Sequence, residues 1–249
     1  MPALKILRLG LSDDSYGSLP DVERSWSLAE RDLERLTGEP CETVRMANWP
    51  TGRQADEVDA EIDRIRPDLV FVCAVAYWVS YPSTPLRLRR MAFPGANQMA
   101  RLGFWAANKP AIADRSAFHL ARRMLARADA SAFPFTPEVV LDRMDRLIRT
   151  VLRHETVILA VRGPIPLRIA GSAALRAECE RRRAVLDSGL AARCEKLHVA
   201  YRSFTACDVH PRNELLGDRV HVNSLGHRRR AREEFELMSR AWRARSGDQ

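Results

Sequence analysis

Residues 68–76 read DLVFVCAVA, and this unbroken apolar run constrains the fold more than any other stretch of the chain. A strand with no polar face has to be covered on both sides, which is the condition of a parallel sheet sandwiched between helices. The preceding residues supply the other parts. Residues 4–10 (LKILRLG) form a short apolar strand ending at Gly10. Asp21 is placed to cap a helix in which Val22, Trp26, Ala29, Leu33 and Leu36 recur at helical spacing, with Gly38 and Pro40 ending it. A second strand fits residues 42–48 (ETVRMAN), and WPTG is a turn. A second helix carries Ala55, Val58, Ile62 and Ile65 on one face and ends at Pro67. Short connections in a β-α-β-α-β order argue for a parallel sheet with helices on both faces.

The regular pattern breaks over residues 77–135, which hold prolines, basic clusters, large apolar residues and one weak helical signal at 114–128. It resumes with a strong amphipathic helix at 137–153, a strand at 155–161 and a long arginine-rich helix at 173–195. A weaker strand follows at 197–201. A last helix starts near Ser224, with Ala231, Phe235, Met238 and Trp242 at helical spacing. The reading is one domain, residues 1–249, with five strands, a helix between each pair and an irregular cap or insertion at about 77–135.

Composition narrows the class. With 46% hydrophobic and 29% charged residues, disordered and fibrous classes are excluded. No stretch approaches 18 apolar residues, so no membrane span is expected. The formal net charge is +8, and only Lys5, Lys109 and Lys196 among 40 basic residues are lysines. The arginines are scattered along the whole chain, the RRR runs at 181–183 and 228–230 included, so they read as solvated helix faces and not as a nucleic-acid surface. Five cysteines without a CxxC pair argue against disulfides or a zinc knuckle. Cys73 reads as core. With the N-terminus read as a first strand, the expected location is cytoplasmic. No GxGxxG, Walker, HExxH or metal-ligand pattern occurs, so no cofactor and no metal is expected.

In an open parallel sheet the ligand sits beyond the carboxyl ends of the strands. The segments there read GLSDDSYG, NWPTG and YWVSYPS, and GDRVHVNSLGH precedes the last helix. Asp218 and His221 stand as D-x-x-H, a spacing that lets a carboxylate hold Nδ1–H and leaves Nε2 as a base. Such a base could take the proton of a serine at the end of the first strand. His210 beside Asp208 is a second Asp–His arrangement, and His227 reads as packed on the first turn of the last helix.

These pieces together resemble the SGNH (GDSL-type) hydrolases. LGLSDDSYG is similar to the family's Gly-Asp-Ser block, ANWPTG to its second block, RPDLVFV to the strand before the third, and GDRVHVNSLGH to the fourth. The resemblance implies a three-layer α/β/α fold with a flavodoxin-like, five-stranded parallel sheet. It implies hydrolysis of an O-acyl (carboxylic) ester through an acyl-enzyme, with Ser12 as nucleophile, His221 as general base and acid, and Asp218 orienting it. The backbone N–H groups of Ser12 and Gly52 would face the oxyanion. The substrate would be a small-molecule, glycan or lipid acyl ester. The pattern departs twice: Leu11 replaces the first-block Asp, and Tyr77 stands near where the third block has Asn. Asn97 and Asn108 are further candidates for that role, and Ser15, after Asp14, is a rival to Ser12. Acyl transfer on the same fold and a catalytically impaired binding protein are the alternatives.

Overall fold

The computed structural model describes residues 3–10, 14–16, 19–81, 95, 98, 101–102, 133–169, 171–216 and 220–247. Five parallel strands form one sheet: β1 (Leu4–Gly10), β2 (Cys41–Ala47), β3 (Leu69–Cys73), β4 (Ile158–Arg162) and β5 (Ala200–Arg202), in the order β2-β1-β3-β4-β5. The helices bounded within the described residues are α1 (Ser25–Thr37), α2 (Gln54–Ile65), the single turn α3 (Tyr77–Ser80), α4 (Pro137–Leu152), α5 (Ala173–Lys196) and α6 (Ser224–Ser246).

Period-two alternation sends each strand's side chains to two separate cores. Leu7, Leu9, Val70, Val72, Leu159 and Val161 face α2, α4 and α5, where Val58, Ile62, Met144, Leu147, Leu186 and Leu190 close the layer. Leu4, Ile6, Leu69, Phe71, Ile158 and Ala160 face α1 and α6, meeting Ala29, Leu33, Ala231, Leu237 and Met238. The three-layer α/β/α arrangement is therefore present, and all five residues of β3 are buried, as its apolar run requires.

Local differences have local causes. Asp21 does not cap α1: it begins a single 3-10 turn, Asp21–Glu23, and its carboxylate accepts from Arg24 Nε (3.1 Å). Val22 consequently lies outside the helix and is 57% exposed, while Ala29 and Leu33 are fully buried. The fourth strand begins three residues later than its apolar pattern suggests, because Val157 N–H closes a turn onto His154 O (2.9 Å). The arginine runs are not simply solvated. Arg183 is 3% exposed and donates to Pro164 O and Phe204 O; Arg230 is 5% exposed and donates to His210 Nε2. Arg182 holds the carbonyls of Val79 and Phe135. The expected helix at 114–128, Asn97 and Asn108 lie outside the described residues.

Candidate active site

The crossovers on either side of β1 leave in opposite directions, so the sheet's switch point lies between β1 and β3, where such folds bind ligands. Three chain segments converge at its carboxyl edge. Gly10 pairs with Ala47, and Asn48 N–H continues the ladder to Gly10 O (2.6 Å). Asn48 is fully buried; its amide donates to Cys73 O (2.7 Å) at the end of β3 and accepts from Gln54 Nε2. Its side chain thus ties the ends of β2 and β3 together. Gly52, expected as an oxyanion donor, sits in the exposed turn leading into α2, with nothing within 4 Å of where a Cβ would stand.

The loop after β1 is anchored by buried charge. Arg8 donates to Asp14 through Nε (2.9 Å) and Nη2 (3.0 Å), and to Glu234 of α6 through Nη1 and Nη2 (both 3.0 Å). Arg162, at the end of β4, also donates to Glu234 (2.6 Å). Burial works against the Arg8 charge, but Asp14 and Glu234 outweigh it and raise its pKa well above the usual value. Burial likewise pushes the Glu234 carboxyl up, and Arg8 and Arg162 bring it net below the usual range. Asp14 packs so tightly that a Cβ at Gly10 would lie 1.6 Å from its Oδ2. The rival Ser15 is exposed beside this inward-turned Asp14.

The three histidines of the C-terminal part differ in environment. His210 is 4% exposed; Nδ1 meets Glu214 (2.7 Å) and not Asp208, which instead closes a capping box with Thr205. Its Nε2 accepts from Arg230 (3.1 Å), and burial together with Arg230 pushes its pKa down to about 4. His210 is therefore a neutral, structurally committed imidazole. His227 is 2% exposed and its Nδ1 accepts from Ser25 N–H (3.1 Å), tying α6 to α1. His221 is half-buried, and its ring stacks on Tyr16 with centroids 3.8 Å apart and 13° between planes. The described residues on its two sides pair antiparallel: Leu215 bridges Val222, Leu216 N–H donates to His221 O (2.8 Å), and Asn223 caps α6. Gly226 is required there, since a Cβ would meet Glu214 O at 2.5 Å and Val222 Cβ at 2.6 Å.

Ser12 and Asp218 lie outside the described residues. What is described is that Tyr16, four positions after Ser12, and His221, three after Asp218, are in contact. Tyr77 does not stand alone in place of an Asn: it opens α3, stacks on Tyr81 (4.7 Å) and lies 6.2 Å from Trp49. Trp49 is 38% exposed and also faces Phe135 (5.7 Å), while Arg143 holds Pro50 O. Cys73 is a poor nucleophile, pushed up to about 11 by burial. Among the described residues no group of three or more His, Cys, Asp or Glu side chains could hold a metal ion, and no helix is long and apolar enough to cross a membrane.

Sequence reasoning missed the Arg8–Asp14–Glu234–Arg162 cluster and the Tyr16 stack. One signal was available: alternation in LKILRLG puts Arg8 on the same face as Leu4 and Ile6, a buried position that demands a carboxylate partner.

No family model matches the chain, and no curated protein matches it. Solved structures do. The psychrotrophic esterase EstA from Pseudoalteromonas sp. superposes with a TM-score of 0.55 at 14% identity, over 95% of this chain and 97% of that one. TesA gives 0.56 at 9% identity, over 95% and 99%. A catalytic mutant of Axe2, an acetylxylan esterase from Geobacillus stearothermophilus, gives 0.52 at 12% identity, over 94% of each chain. At these identities the likeness establishes the architecture, and the chain carries the three-layer α/β/α fold of these esterases.

Proposed function

We propose that this protein is a serine hydrolase that cleaves an O-acyl (carboxylic) ester through an acyl-enzyme. The observation that carries the reading is the contact of His221 with Tyr16, because it brings the fourth-block loop against the loop that follows β1. His210 has both ring nitrogens engaged, by Glu214 and Arg230, and His227 Nδ1 accepts from Ser25 N–H between α1 and α6, whereas His221 lies against the loop that follows β1. The esterase architecture of the solved relatives supports the same conclusion.

In this reading Ser12 Oγ attacks the ester carbonyl while His221 Nε2 accepts its proton, and Asp218 holds Nδ1–H. The backbone N–H groups of Ser12 and Gly52 stabilise the oxyanion, each such donor being worth about 3 kcal/mol of barrier. His221 returns the proton to the leaving alcohol, and water then releases the acyl group by the same steps. The test is turnover of short p-nitrophenyl esters together with fluorophosphonate labelling. Ser12→Ala is expected to lose both. Turnover that persists in that variant overturns the assignment, and a native protein that neither turns over nor labels favours a binding role on this scaffold.

A further inference from the structure

We propose that Tyr16 is the positioning residue of the His221 base, setting the plane of the imidazole through its own ring. The inference rests on the hydrolase reading above, and it starts from the closeness of the stack, 3.8 Å and 13°. Two residues about two hundred positions apart meet face to face, so the geometry belongs to the tertiary fold and not to local sequence.

Both partners stand on hydrogen-bonded backbone. Tyr16 O accepts from Arg24 Nη1 (3.0 Å), and Leu19 O accepts from Arg24 Nη2 (2.8 Å). Two residues earlier, Asp14 O accepts from Arg45 Nη1 (2.9 Å), and the Asp14 carboxylate is gripped by Arg8 from below. Three arginines thus clamp the loop around Tyr16, and Arg8 and Arg24 are each only 3% exposed. On the other side, His221 O accepts from Leu216 N–H and the neighbouring Val222 is bridged to Leu215. Backbone anchoring places the His221 Cα and does not by itself set the two side-chain torsions. A carboxylate on Nδ1 fixes one edge and still allows the ring to swing about that hydrogen bond. A parallel ring against its face removes that last freedom, and a general base has to hold its geometry within about 10–20°.

The stack also acts on the reaction coordinate. When Ser12 Oγ bonds the carbonyl carbon, its proton passes to Nε2 and an imidazolium forms against the negative face of the Tyr16 ring. The contact is therefore stronger in the transition state than before it, which lowers the barrier without tightening substrate binding. The aromatic face carries the role, and the hydroxyl is not needed for it.

The experiment combines kinetics with the His221 ring-proton resonances in an NMR spectrum of the full chain. In the native protein those protons are expected upfield, shielded by the Tyr16 ring. Tyr16→Leu is expected to lose that shift and to lower kcat about tenfold to a hundredfold with KM little changed. Tyr16→Phe restores the upfield shift and most of kcat. If Tyr16→Leu does not fold, Tyr16→Met provides the same comparison. His221→Ala separates the two levels of inference. If it is inactive while Tyr16→Leu keeps full kcat, the positioning role is overturned and the hydrolase reading stands. Turnover that survives His221→Ala overturns both. Identical His221 resonances in native and Tyr16→Leu protein overturn the positioning role whatever the kinetics.

Discussion

Glu234 is fully buried and takes hydrogen bonds from Arg8 and Arg162, two guanidinium groups carried by different strands. A buried ion pair adds little net stability over an apolar substitute, yet removing one partner leaves an uncompensated charge. Glu234→Gln is therefore expected to lose about 3–5 kcal/mol of unfolding free energy, read by denaturant titration. The pH dependence follows from its direction of shift. The carboxyl titrates lower folded than unfolded, so its contribution is complete above the unfolded value of about 4.3 and is lost as pH falls through the lower folded one. The native protein should lose stability on acidification in that range, and Glu234→Gln should do so less steeply. Acid titrations of equal slope would contradict this.

Elements enter function through their ends. β2 and β3 are tied by Asn48, and α6 begins under a loop so close that Gly226 has no room for a methyl group. The turn at Gly52 shows the opposite, with open space around it. Gly226→Ala should force Glu214 and Val222 away from α6, costing about 1–3 kcal/mol and most of the proposed ester-hydrolysing activity together. Gly52→Ala should leave the unfolding free energy unchanged within about 0.5 kcal/mol. A Gly226→Ala protein with native stability and activity would show that the close approach is not required. The ends of elements were also least legible in the sequence. The centres of α2 and α4 were plain from their periodicity. The start of α1 was not, because an Asp before an apolar residue signals a cap whether or not it is one, and here its carboxylate serves Arg24 and Arg45.

At the scale of the molecule, many of the arginines behind the formal charge of +8 are used in structural contacts. Arg8, Arg24, Arg162, Arg183 and Arg230 are buried, and exposed arginines pair with nearby acids, among them Arg35–Asp32, Arg64–Glu61, Arg146–Asp56, Arg149–Asp145 and Arg181–Glu178. Arginines engaged in these pairs and buried contacts serve the fold and are not displayed to a polyanion. Duplex DNA should show no saturable binding at about 0.15 M salt, and tight binding with a steep salt slope would contradict it.

Sequence alone determined the layer order. Apolar runs, helical periodicity and short connections are local quantities, and right-handed crossovers leave few ways to assemble them. It also marked the strand ends as the place for chemistry and His221 as the base to examine. Tertiary structure decided which charged side chains turn inward and which rings meet. Alternation places Arg8 on a buried face, but its partner Glu234 comes from the far end of the chain, and Tyr16 is an ordinary loop residue until His221 is folded onto it. Burial of a charge or the facing of two rings depends on partners far apart in sequence, and no local pattern encodes that distance.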